Sequence, residues 1–170
     1  MRDAAFFSRD CLEVAPELVG KLLVCPFSEG EKVLRVTETE AYGGVDDTAC
    51  HAHKGMTKRN RLLWEAPGTV YVYLCYGVHW MLNCITGQEG QPQGVLIRAC
   101  EGYPGPGRLT KALGISRDVN GDSFLVSDKI FFADDGFRPD ITQKNRVGIA
   151  YASPEDQNKL WRFVACTGSG

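Results

Sequence analysis

Between residues 31 and 42 the chain alternates. Leu34, Val36, Glu38, Glu40 and Tyr42 fall on one parity, and a period of two puts them on one face of a β-strand. If that face meets the core, Glu40 loses water at the strand's end, before Gly43-Gly44 stops it. Residues 69–76 (TVYVYLCY) carry the strongest strand signal, and 78–86 (VHWMLNCIT) a second one. The break at Tyr76-Gly77 joins them into a β-hairpin with Tyr76 at its tip. On the first of these strands, Tyr71 and Tyr73 face away from Val70, Val72 and Leu74. Residues 94–100 (GVLIRAC) read as another strand, with more near 124–132 and 146–151, and Trp161-Arg162-Phe163 is expected to pack back on the sheet. Helical patterns are few. Ala15-Pro16 opens a short one, with Leu18, Val19 and Leu22 on one side, since proline suits a helix's first turn. Residues 21–26 either finish that helix or begin a strand, and 108–114 form a short helix after Gly105-Pro106-Gly107. Residues 50–61 are loop-like, and Ala66-Pro67-Gly68 is a turn. The sum is an α+β fold: one domain over 1–170, with a mixed, mostly antiparallel, curved sheet, short helices and a protruding hairpin.

Composition agrees and narrows the picture. With 44% hydrophobic and 24% charged residues the chain is neither disordered nor fibrous. Its 19 glycines, against about 12 at the usual ~7%, favour turns over a helical bundle. No apolar run approaches the ~18 residues of a membrane span, and MRDAAFFSRD does not read as a secretory signal. The seven cysteines form no CxxC pair, which points to a reduced cytoplasmic or nuclear setting. A net charge of −2 is not the basic balance of a nucleic-acid binder, so local clustering decides.

Glu40 is a candidate general base, because desolvation raises a carboxylate's pKa while a nearby cation lowers it. Glu38 shares its face, and the pattern alone does not choose between them. Arg98 interrupts an apolar run, and a buried arginine requires a carboxylate partner, for which Glu38 and Glu40 are the candidates. Tyr76 at a hairpin tip has nothing to pack on and suits a wedge between base pairs; rings beside a carboxylate suit a flipped base. Lys54, Lys58, Arg59 and Arg61 form a basic patch without an acid, and Arg108 and Lys111 open a helix suited to a phosphate. Cys50-His51-Ala52-His53 raises metal binding or a thiol nucleophile, but its spacing with His79 and Cys84 matches no zinc finger and no third orienting group is evident. A P-loop, a dinucleotide-binding glycine motif and a GxSxG elbow are absent from the sequence.

In order along the chain stand Thr39-Glu40-Ala41-Tyr42, His51, Arg59-Asn60-Arg61, Pro67-Gly68-Thr69, Tyr71-Val72-Tyr73, Tyr76-Gly77, Asn83 and Val95-Leu96-Ile97-Arg98-Ala99. Gly105-Pro106-Gly107-Arg108-Leu109, Arg146-Val147-Gly148 and Trp161-Arg162-Phe163 follow. This series resembles the alkyladenine (3-methyladenine) DNA glycosylases over nearly the whole chain. The resemblance implies a monofunctional base-excision repair enzyme. Such an enzyme flips a damaged purine (3-methyladenine, 7-methylguanine, hypoxanthine, ethenoadenine) from duplex DNA and hydrolyses its N-glycosidic bond. It implies Glu40 as the general base, with Arg98 and the Val147 carbonyl holding the water. Tyr42, His51 and Tyr73 would line the base pocket, and Asn83 would reject guanine. Tyr76 would fill the gap in the duplex, with Val78, His79, Lys58, Arg59, Arg61, Arg108 and Lys111 along the DNA. It implies no metal and no cofactor, double-stranded DNA as partner, no membrane, a monomer, and a bacterial cytoplasmic or a eukaryotic nuclear location. His79 after Tyr76-Gly77-Val78 is closer to bacterial members.

Two departures stand out. Only Gly102-Tyr103-Pro104 separates Glu101 from the Gly-Pro-Gly turn, where the family has a longer connection, and Gly170 falls inside its C-terminal strand. Two other readings are distinguishable: a non-catalytic nucleic-acid module on the same fold, and a small-molecule hydrolase using Cys50 with His51 or His53.

Overall fold

The computed structural model describes residues 1–27 and 30–166; the expectation at Gly170 lies outside them. Two helices open the chain, α1 (Ala4–Phe7) and α2 (Cys11–Leu18). Each starts at an aspartate whose carboxylate accepts from a first-turn amide, Asp3 from Ala5 and Asp10 from Leu12. The capping Asp10 starts α2 four residues before the expected Ala15, so Pro16 lies inside the helix rather than in its first turn. Proline cannot donate to the preceding turn, and α2 ends two residues later. Gly20 (φ 95°) then reverses the chain, and a Cβ there would meet Pro139 Cδ at 2.5 Å.

Residues 21–26 resolve as strand. β1 (Leu22–Phe27) pairs antiparallel with β2 (Gly30–Tyr42). The tyrosine-rich run forms β3 (Val70–Cys75), paired with β4 (His79–Thr86), and β5 (Gln93–Cys100) follows. A short β6 (Tyr103–Pro104) folds back on the end of β5 through a tight turn at Glu101-Gly102. The shortened connection before Gly105 is thus a closed hairpin. It leads into α3 (Pro106–Ala112). The remaining elements are β7 (Phe131–Ala133), β8 (Ile141–Lys144), α4 (Pro154–Gln157) and β9 (Arg162–Ala165). Among the described residues these strands make one open sheet in the order β3-β4-β5-β2-β1-β7, with β6 on β5 and β9 between β2 and β8. The α+β architecture is as expected, and the Trp161 segment does return to the sheet as β9.

Two expected strands differ. Within 124–132 only the last residues pair, because Ser123 starts a tight turn that accepts from Val126 and Ser127. Residues 146–151 form no strand: Arg146 turns inward to a buried aspartate, and the Val147 amide bonds a carboxylate instead of a ladder partner.

The main apolar core lies between the sheet and α1–α3. Phe7, Phe124 and Phe132 stack at its centre beside Val14, Leu18, Ile97 and Leu109. The strict alternation expected along β2 fails here. Pairing with β5 is irregular between Val36 and Thr39, the signature of a β-bulge. Val36 and Ala41, five residues apart, both face the main core, and the Thr39 hydroxyl donates to the Ala15 carbonyl of α2. β5 changes phase with it, since Ile97 and Cys100 both face that core. Glu38, Glu40 and Tyr42 therefore lie on the opposite face from Val36, not the same one. A strap of residues 43–64, with Cys50, Ala52 and Leu63 packed on Tyr71 and Ile85, covers that second face.

Candidate active site

Glu40 points into a cleft of about 540 Å³, walled by β2, β5, the β3–β4 hairpin, the start of α3 and the turn at Val147. Its side chain is fully buried. The Val147 amide donates to Oε2 at 2.7 Å and the Tyr42 hydroxyl to Oε1 at 2.9 Å. Arg98 Nη1 stands 3.6 Å from Oε1, while Arg98 Nε stands 3.6 Å from Glu38. Both predicted carboxylate partners of Arg98 are thus real. Glu38 also faces Arg162 at 3.5 Å and does not line the cleft, which separates the two glutamates that the pattern left equivalent. Burial pushes the Glu40 carboxyl above the ordinary range. Arg98 opposes most, then the Val147 amide, Tyr42 and Arg146. The Val147 contact seen is its amide on Glu40.

The rings gather beside the carboxylate. Tyr42, His51 and Tyr73 line the cleft and, with Asn83, a small recess of about 40 Å³ behind it. His51 and Tyr73 lie 4.5 Å apart, and His51 Nδ1 is 3.3 Å from the Tyr71 hydroxyl. Desolvation, then the charge of Arg59, lowers the His51 pKa, so the imidazole is neutral at pH 7. The Asn83 carboxamide nitrogen reaches the Tyr71 and Met81 carbonyls at 3.3 and 3.4 Å, which holds its side chain in place.

Tyr76 stands at the hairpin tip, 95% exposed and with φ 51°, followed by exposed Val78 and His79. A non-glycine residue in that conformation is uncommon, and here it carries a ring into solvent. Gly107 lets α3 pack on this hairpin, because a Cβ there would meet His79 Nδ1 at 2.6 Å. Arg108 lines the cleft. Lys58, Arg61 and Lys111 are exposed and line none of the cavities around the cleft. Arg59 donates to the Leu74 carbonyl at 2.7 Å and faces a neighbouring groove of about 480 Å³, which Lys54 also lines.

The residues behind the cleft carried no assigned role in the sequence. Arg146 is buried in a two-point contact with Asp47 at 2.6 and 3.0 Å. It also reaches the Ala41 carbonyl at 3.0 Å, and its guanidinium lies 5.0 Å from the Tyr42 ring and 4.9 Å from Trp161. Thr48 bonds Asp156 by both amide and hydroxyl. These contacts clamp the strap that carries His51 to the turn that carries Val147. Adjacency to Val147 was the one sequence signal for Arg146; Asp47 had none, because its partner lies 99 residues away.

The thiol reading loses its basis. Cys50 is buried, and desolvation pushes its thiol above the ordinary value, the reverse of an activated nucleophile. His53 is turned to the Val45 carbonyl at 2.8 Å and lines the neighbouring groove, not the cleft.

Comparisons with known proteins identify the family. The family model described as methylpurine-DNA glycosylase matches residues 5–104 and 102–168, two stretches that meet at the tight turn before Gly105. A protein of Methanocella arvoryzae named "Putative 3-methyladenine DNA glycosylase" is 40% identical over 178 residues, covering 93% of this chain and 88% of its own length. Proteins of the same name in Nitrosococcus oceani (40% identical, 94% of this chain, 87% of that protein) and Legionella pneumophila (41%, 93% and 90%) also match. With a match of this extent, and with Glu40, Arg98 and the rings of Tyr42, His51 and Tyr73 in one cleft, the chain belongs to the methylpurine-DNA glycosylase family.

Proposed function

We propose that this chain excises methylated and other damaged purines from duplex DNA by hydrolysing the N-glycosidic bond with a water activated by Glu40. The observation that carries this reading is the buried Glu40 at the wall of an aromatic cleft, beside an exposed aromatic tip. Tyr76 enters the stack in place of the target nucleotide, and the flipped purine lies among Tyr42, His51 and Tyr73. Asn83, held by backbone carbonyls, is a rigid wall that excludes the exocyclic amino group of normal guanine. Glu40 takes a proton from the water as its oxygen bonds C1′. The C1′–N bond breaks and its electron pair leaves with the base, so a cationic methylpurine departs neutral. Arg98, within reach of both Glu40 and the cleft, orients the water.

One feature ranks the substrates. Among the described residues lining the cleft, Glu40 is the one carboxyl group, and His51 is neutral. Neither supplies an acid for a neutral leaving group, so cationic 3-methyladenine and 7-methylguanine are favoured over hypoxanthine and ethenoadenine.

Single-turnover excision on methylated DNA and on a hypoxanthine duplex, read as alkali-dependent strand breaks, tests this. Wild type is expected to act faster on the methylated substrate, and Glu40→Gln to lose about 10²- to 10⁴-fold, the usual contribution of a general base. Equal activity of Glu40→Gln and wild type would refute the assignment of Glu40 as the base. Duplex binding without breaks would favour the non-catalytic module. Because burial raises the Glu40 pKa, the acid limb of the rate profile is expected above the ordinary carboxylate range.

A further inference from the structure

We infer that Tyr151 is a specificity-determining residue, a further aromatic wall that separates the base pocket from the neighbouring groove; this rests on the function proposed above. Tyr151 lines the cleft, the recess behind it and the groove of about 480 Å³ beside them, so its ring stands where the three spaces meet. It follows Val147 on the turn that holds Glu40. Its hydroxyl crosses to the other side of the pocket and donates to the Ala49 carbonyl at 2.6 Å, two residues before His51. The buried contacts of Arg146 and Thr48 already join the strap and the turn from behind. The Tyr151 bond joins them at the pocket itself.

The side chain is 67% exposed, although it is a large aromatic group. A ring kept in solvent and tethered by one hydroxyl is poor core packing but a good surface for a planar ligand, which would cover it. Losing the ring would merge the recess with the groove. The flipped base would lose a contact face, and water would gain a side entrance. An undamaged base that stays in the duplex would lose nothing. Tyr151 therefore raises the preference for a flipped, damaged base and not affinity for DNA in general.

The test uses the Glu40→Gln protein, in which excision is expected to be slow relative to binding, and two duplexes that differ only in one central ethenoadenine or adenine. Fluorescence anisotropy gives the ratio of the two affinities. Adding Tyr151→Ala is expected to lower that ratio about tenfold, the usual scale for one base–aromatic stack, with affinity for the adenine duplex unchanged. Tyr151→Phe keeps the ring and is expected to stay within about threefold of the parent. An unchanged ratio for Tyr151→Ala, or equal weakening on both duplexes, would overturn the proposal and leave Tyr151 a surface or structural residue. If the Glu40→Gln parent itself shows no preference for ethenoadenine, this proposal falls, while the functional reading stands or falls separately on excision from methylated DNA.

Discussion

Two arginines act on Glu40, and their carboxylate contacts are built differently. Arg146 and Asp47 meet at two short contacts, at most 5% exposed, with a backbone carbonyl and two rings around the guanidinium. Arg98 stands 3.6 Å from both Glu38 and Glu40, beyond a direct hydrogen bond, with an edge open to the cleft. The first pair is closed off from the cleft, with both terminal guanidinium nitrogens on Asp47. The second leaves room beside it, and Glu40 takes its hydrogen bonds from Val147 and Tyr42 instead. A tight buried pair holds backbone segments together, whereas a loose one beside a cavity keeps a charge available to a third molecule. The distinction is one of geometry, because both pairs join the same types of group.

Breaking the closed pair should have the largest effect on stability. Asp47→Asn leaves a buried guanidinium without its counter-charge and is expected to cost about 3–5 kcal/mol in urea unfolding. A loss within experimental error would mean that Asp47 is not the partner holding the strap. Arg98→Gln should reverse the balance. Single-turnover excision is expected to fall about a hundredfold, as on losing one preorganised donor. Unfolding should shift by only about 1 kcal/mol, since Glu38 keeps Arg162 and Glu40 keeps two donors. A stability loss as large as that of Asp47→Asn would erase the contrast.

Gly107→Ala touches neither pair and serves as the reference. Its methyl would press on the His79 ring and part α3 from the hairpin, at about 1–3 kcal/mol by thermal unfolding. The smallest effect is a pH dependence. The folded state raises the Glu40 pKa, so Glu40 stabilises the fold below the unfolded carboxyl range and loses that contribution as pH rises through its folded value. Urea titrations at pH 5 and pH 8 should show Glu40→Gln gaining on wild type at the higher pH. The opposite trend would mean that the donors around Glu40 outweigh its burial.

Much of this was legible along the chain. The hairpin and its tip followed from TVYVYLCY, a Tyr-Gly break and VHWMLNCIT, because short-range alternation and turn chemistry are local properties. Tyr71 and Tyr73 fell on the face away from the main core, as their parity required. The expectation for β2 went astray at one point. A bulge is a property of paired strands, and no residue between Val36 and Thr39 announces it. It changed the face of Glu40 without changing its burial, because the strap and the Val147 turn desolvate the second face as the core would have desolvated the first. The strand expected at 146–151 failed for a similar reason: Arg146 and Val147 make their bonds to Asp47 and Glu40, far away in sequence.

The sequence by itself determined the strands, the hairpin, the α+β class and the inventory of the site: a carboxylate, an arginine and several rings. Those follow from side-chain type and spacing, which act over a few residues. The tertiary structure alone decided that Glu40 rather than Glu38 faces the cleft, that Arg146 and Asp47 clamp its wall, and that Tyr151 stands where the three cavities meet. These depend on register and on contacts between segments about a hundred residues apart, where the fold and not the local pattern sets the distance.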